Sequence, residues 1–108
     1  MLDETFFALS NATRRAMVER LVRGEATVGE LAEPFAMTLP AISKHLGVLE
    51  RAGLVHRKRR GRQQVCRIHP DRLGPATDWL DRQRSFWTGQ LGALETYLTA
   101  TPAPKEDR

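Results

Sequence analysis

Two helix-start signals, at Thr27 and Thr38, constrain this chain more than any other feature. In Thr27-Val28-Gly29-Glu30 a threonine is followed three residues later by a glutamate, the reciprocal pattern that closes the first turn of a helix. Thr38 precedes Leu39-Pro40, and proline is tolerated in a first helical turn because its missing N–H has no partner there anyway. Pro34 limits the first of these helices, and only Phe35-Ala36-Met37 separates it from the second. Val28, Leu31 and Ala32 supply the inward side of the first, and Ile42, Leu46 and Leu49 form one stripe on the second. Two short helices joined by a tight turn, the second rich in small polar residues, make a helix-turn-helix.

The flanking segments extend that unit. Leu2, Phe6, Phe7 and Leu9 predict a short amphipathic helix at the start. Ser10 and Asn11 are helix-capping types, followed by Met17, Val18, Leu21 and Val22 at helical spacing, and Gly24 is placed to end that helix in a left-handed turn. Gly53 occupies the same position after the helix that begins at Thr38. Gly47, in the middle of that helix, suggests close packing against another helix. Leu54 to Arg60 and Gln64 to His69 read as two strands, with Gly61 supplying the positive φ of a tight hairpin. A long helix follows, from Asp71 to Leu98, with Leu73, Ala76, Leu80, Trp87, Leu91, Leu94 and Leu98 recurring at threes and fours and Gln83 filling a gap. Pro75 obscures its start, and residues 101–108, with Pro102 and Pro104, are expected to fray. The expected fold is mainly α with a small β-hairpin: a winged helix-turn-helix of five helices and a two-stranded wing, in one domain over residues 1–100.

Charge places a function on this fold. The chain of 108 residues carries 17 basic and 13 acidic residues, a net charge of +4. Between residues 38 and 72 stand nine basic residues and only two acids, Glu50 and Asp71, so the rest of the chain is mildly acidic. That concentration predicts a polyanion-binding surface. A helix entering the DNA major groove would bring Thr38, Leu39, Pro40, Ala41, Ser43, Lys44 and His45 toward it. The run Arg57-Lys58-Arg59-Arg60-Gly61-Arg62-Gln63-Gln64 would lie along the neighbouring backbone. Lys44, Arg57, Arg59, Arg60 and Arg62 are expected on phosphates. Thr38, Ser43 and His45 are the candidates for base edges or the adjacent backbone, and Gln63 joins the set at the wing tip.

Other classes find little support. One cysteine, Cys66, excludes an intramolecular disulfide and a four-cysteine zinc site in one chain. Cys66 and His69 fall on opposite faces of a strand, and Cys66 shares a face with Ile68, so it reads as a small buried residue. Ser43 has no base and acid partner pattern, and no catalytic constellation is visible, so an enzyme is not expected. No uncharged run is long enough for a membrane helix, and the start of the chain, with Asp3 and Glu4, does not resemble a signal peptide. The expectation is a cytoplasmic protein with no cofactor and no membrane partner.

The stretch VGELAEPFAMTLPAISKHLGVLERAGLVHRKRRGRQQ, Val28 to Gln64, closely resembles the ArsR-type winged-helix transcription regulators of prokaryotes, and LSNATRRAMVERL resembles their second helix. The resemblance covers residues 3 to 98. It implies a homodimeric DNA-binding protein, usually a repressor, that reads double-stranded operator DNA with its fourth helix and pairs through its first and last helices. Carried onto this chain, that interface comprises Leu2, Phe6, Phe7, Leu73, Trp79, Leu80, Gln83, Phe86, Trp87, Leu91 and Leu94. A helix of about 40 Å also argues for a partner, because a domain of about 30 Å cannot cover two tryptophans, Phe86, Tyr97 and several leucines along its length. The chain departs from the metal-sensing members. Glu30 to Met37 holds no cysteine pair, and Asp78 and Asp81 have no histidine beyond His69 to join them, so no metal is expected at either place. A palindromic operator and autoregulation are the expected target, with the inducer unknown. The alternatives are a winged helix used for protein–protein contact, or a small-molecule or metal sensor with a non-standard site.

Overall fold

Three side-chain caps set the helix starts. The computed structural model describes residues 2–100. The helices are α1 (Leu2–Ala8), α2 (Ala12–Val22), α3 (Val28–Ala32), α4 (Leu39–Arg51) and α5 (Gly74–Ala100), and the strands are β1 (Ala26–Thr27), β2 (Val55–Arg60) and β3 (Gln63–Ile68). The Asn11 side chain accepts from the backbone N–H of Arg14 at 3.1 Å and opens α2. Thr27 and Glu30 form the full capping box of α3, with Glu30 N–H donating to Thr27 Oγ1 at 3.0 Å and Thr27 N–H donating to Glu30 Oε1 at 2.8 Å. That backbone donor, the largest influence on the group, holds the Glu30 carboxyl below its ordinary value. Thr38 Oγ1 accepts from Ala41 N–H at 3.3 Å and opens α4, with Pro40 in the first turn.

Gly53 ends α4 at φ +78°, and two bonds close the turn: Gly53 N–H to Glu50 O at 2.9 Å and Leu54 N–H to Leu49 O at 3.0 Å. This is the Schellman arrangement, which satisfies carbonyls the helix end leaves over. The chain then enters β2. Arg60 pairs with Gln63, so the wing turns on Gly61-Arg62, and among the described residues positive φ occurs only at glycines, with Gly61 at +64°. A two-residue turn with positive φ at its first centre alone is the II′ type, whose twist suits a hairpin.

The sheet has three strands in the order β1-β3-β2, not the two expected. Ala26 pairs with Cys66 and Thr27 with Val65, so the residues that lead into α3 also pin that helix to the back of the wing. The long helix begins at Gly74 rather than Asp71, after a 3-10 turn over Pro70–Leu73. Val22, which shares the helical spacing of Met17, Val18 and Leu21, is exposed, and on α1 Thr5 and Ala8 are buried while Phe7 is exposed. Among the described residues no second helix packs at Gly47: the one group a Cβ there would approach is the guanidinium of Arg51, one turn on, at 3.4 Å.

The described chain divides into two compact units, the first ending at Ala76 and the second beginning at Thr77. In the first, Met17, Leu21, Leu31, Ile42, Leu46, Leu49, Leu54 and Cys66 are wholly buried and form one core, with Val28, Phe35, Ile68 and Leu73 packed on its margin. Each of α2, α3, α4 and the sheet contributes to it. The second unit is the remainder of α5, where Leu80, Phe86, Trp87, Leu91, Leu94, Tyr97 and Leu98 are all exposed. Trp87, Leu91, Leu94 and Leu98 follow the alternating four-three spacing of a helix-pairing seam. The expected frayed tail at residues 101–108 lies outside the described residues. No described helix is long and apolar enough to cross a membrane.

Candidate nucleic-acid interface

With its stripe of Ile42, Leu46 and Leu49 facing the core, α4 turns Leu39, Pro40 and Lys44 outward, all exposed, with Ala41 beside them. The Thr38 hydroxyl is exposed but already serves as the cap. Leu39 borders a concavity of about 450 Å³ that the wing closes from the other side with Arg59, Arg62, Gln63 and Gln64, and the start of α3 closes from below with Thr27, Val28 and Gly29. Four of the residues expected on DNA, Leu39, Arg59, Arg62 and Gln63, therefore border one hollow. Arg59 Nε donates to Gly61 O at 3.2 Å, which holds its stem along the turn, while Arg62 makes no ion pair among the described residues.

The remaining candidates go elsewhere. Arg60 alternates to the outer face of the sheet, where it pairs with Glu25 at 2.9 Å beside His56, Lys58 and Arg67. Both partners are well exposed, so this pair contributes little to stability. Arg57 lies on the inner face, opposite the buried Cys66 in the register, and its guanidinium meets α4: Nη1 donates to Ser43 Oγ at 3.1 Å and Nη2 to Glu50 Oε1 at 2.5 Å. The bond to Glu50, above all, raises the Arg57 pKa. Burial pushes the Cys66 thiol up, against the opposing pull of Arg57, so the thiol is held in its unreactive form.

His45 occupies the opposite flank of α4. Arg14 of α2 donates from Nη1 to His45 Nδ1 at 3.2 Å, which requires the proton on Nε2 in the neutral ring. Burial, then the charge of Arg14, holds the His45 pKa below its ordinary value. Arg14 itself is buried, and each of its three guanidinium nitrogens makes a hydrogen bond. Its Nε donates to Ala8 O at 2.7 Å and Nη2 to Phe7 O at 3.1 Å, while the guanidinium stands over the Phe7 ring, 5.2 Å from its centre. It satisfies the last carbonyls of α1 and joins α1 to α4.

Sequence reasoning passed over Arg14 and Glu50. A signal for Arg14 was present, since residues 14, 17, 18 and 21 share the apolar stripe of α2. A signal for Glu50 was its isolation as one of two acids in a basic segment, two helical turns beyond Ser43.

Comparison with known proteins places this arrangement. A family model described as a helix-turn-helix domain matches residues 9–58. The HTH-type transcriptional regulator Rv2034 of Mycobacterium tuberculosis is 43% identical over 89 residues, covering 82% of this chain and 80% of that protein. The crystal structure of an ArsR family transcriptional regulator superposes with a TM-score of 0.75 at 41% identity, over 81% of this chain and 96% of the other. A homodimeric winged helix-turn-helix DNA-binding domain from Mycobacterium bovis, described as a possible ArsR-family regulator, gives a TM-score of 0.61 at 28% identity, over 92% of this chain and 82% of the other. The chain belongs to the ArsR-type family of winged helix-turn-helix transcriptional regulators.

Proposed function

We propose that this chain is a homodimeric, sequence-specific repressor that binds a palindromic operator in double-stranded DNA, in the cytoplasm, and acts on its own promoter among its targets. The observation that carries the reading is the hollow between the exposed start of α4 and the wing tip, bordered by Leu39, Arg59, Arg62 and Gln63. Its arginines are well placed for phosphates, and Lys44 stands exposed on the outward side of the same helix. The first turn of α4, capped by Thr38, adds backbone N–H groups and the positive end of the helix dipole.

The dimer reading is supported by the exposed seam of α5 and by the homodimeric domain from Mycobacterium bovis. A second copy would cover Trp79, Leu80, Phe86, Trp87, Leu91 and Leu94 with its own, and Gln83 would lie within the same surface. Leu2, Phe6 and Phe7 of α1 would join it, while Leu73, which packs on the core, would sit at its edge. Two reading helices related by a two-fold axis call for two half-sites, and a dimer seated on a promoter excludes polymerase.

Hydroxyl-radical footprinting on a duplex enriched from a random library by the wild-type protein tests this. Two protected half-sites one or a whole number of helical turns apart, about 10 base pairs each, are expected. A single protected patch would contradict the dimeric reading, and no protection at saturating protein would contradict DNA binding itself.

A further inference from the structure

Arg57 sits in the basic run of the wing, but its surroundings differ from those of its neighbours. Ser43 and Glu50 are seven residues apart on α4, nearly two full turns, so they rise from one face of the helix. Arg57, from β2, lies across both, with Nη1 on Ser43 Oγ at 3.1 Å and Nη2 on Glu50 Oε1 at 2.5 Å. Nη1 also donates to Gln64 Oε1 on β3 at 3.4 Å. One guanidinium thus joins the reading helix to both strands of the wing. The Arg57 and Glu50 side chains are 18% and 32% exposed, against 64% for Arg60 in its surface pair with Glu25. A pair this sheltered is screened less than a surface pair, and the fork geometry of arginine suits two acceptors at once. A guanidinium neutralised by a carboxylate has no condensed counterion of DNA to displace, so it adds little to salt-dependent affinity.

We propose that Arg57 is a positioning residue: with Glu50 it latches the wing to the reading helix at a fixed angle and holds the Ser43 hydroxyl oxygen, leaving the Ser43 O–H to donate to an acceptor on DNA. The inference rests on the DNA-binding reading above. A specific complex needs the helix in the groove and the wing on the neighbouring backbone at the same time, so a loosened latch weakens specific binding. Binding to arbitrary DNA, which needs only charge, is unaffected.

The test uses the full chain on two duplexes, one enriched from a random library by the wild-type protein and one scrambled, each titrated across a salt series. Arg57→Met combined with Glu50→Gln, which removes the latch and leaves neither charge alone, is expected to lose roughly tenfold in discrimination, the scale of a charge-assisted hydrogen bond, with an unchanged salt slope on both duplexes. Glu50→Ala is expected to lose discrimination as well, while the freed Arg57 raises affinity for the scrambled duplex. Arg59→Met, at the wing tip, should instead lower the slope by about 0.9 on both. A slope lowered by about that amount in the double variant, with discrimination intact, would overturn the proposal, as would a Glu50→Ala variant that keeps full discrimination.

A second measurement decides the matter where a variant fails to fold. In nitrogen-15 spectra of the wild-type protein, the Arg57 guanidinium is expected to rotate slowly and exchange slowly both free and on DNA. Averaged signals in the free protein, or a shift to a phosphate-bound position on adding DNA, would overturn the latch. If the wild type enriches no duplex, the DNA-binding reading fails, and the free-protein spectrum still decides whether the latch exists.

Discussion

Leu46, Leu49 and Leu54 in the first unit have no exposed surface, whereas Leu80, Leu91, Leu94 and Leu98 in the second keep half or more of theirs. The residue type is the same, as is its helical periodicity in α4 and α5. The difference lies in what surrounds it. The first unit brings helices from several parts of the chain and a sheet around one core, while a lone helix has nothing of its own to bury a seam against. Apolar periodicity therefore identifies a buried face without saying whether the same chain or another copy buries it. In this protein the apolar faces that its own chain buries and those that it leaves exposed are segregated along the sequence.

Substitutions in the two regions should differ in kind as well as in size. Leu46→Ala is expected to have the largest effect, about 2–5 kcal/mol lost from the core and independent of protein concentration, read from urea unfolding. A small loss that grew on dilution would mean that the core, too, depends on the partner. Trp87→Ala comes next. It should weaken self-association by about 2–4 kcal/mol in sedimentation equilibrium, the range of an interface anchor. Its melting temperature should depend less on protein concentration than that of the wild type over the range where the variant dissociates. An equally tight dimer in that variant would remove α5 from the interface.

Thr27→Ala should cost about 1 kcal/mol in thermal unfolding, because it opens the capping box at the junction of β1 and α3. A change within error would mean that pairing of β1 alone holds that junction.

The smallest expected effect is a pH dependence from His45. Burial and the Arg14 guanidinium from α2 depress its folded pKa, so below about 6.5 the unfolded chain binds a proton that the folded chain refuses. The contribution is complete above that pH and is lost as the pH falls through the depressed value. Urea midpoints of the wild type should decline on acidification more than those of His45→Gln. Parallel profiles would contradict the assigned contact.

Much of the fold was legible because its signals are local. Asn11, Thr27 and Thr38 cap the helices they precede, Gly53 and Gly61 take the positive φ their turns need, and the stripe of Ile42, Leu46 and Leu49 is buried. Strand β1 was not legible, because two residues carry no periodicity and pair only with β3, far along the chain. The fate of each arginine was also hidden. Arg57, Arg59 and Arg60 are near neighbours in sequence, yet strand alternation and the positions of Glu50 and Glu25 send them to a half-buried contact with α4, the wing tip and an outer-face ion pair. Composition identifies a basic surface. Only the tertiary partners show which charges remain available to phosphate.

The central claim is that the α4 and wing surface binds DNA by sequence. Fluorescence anisotropy of the wild-type protein on a duplex enriched by that protein and on its scramble, across a salt series, tests it most directly. The account predicts preference for the enriched duplex by about 10³ or more, with steep salt dependence on both. Equal affinity for the two duplexes at every salt concentration would contradict sequence-specific recognition, and no binding at low salt would contradict the DNA-binding surface altogether.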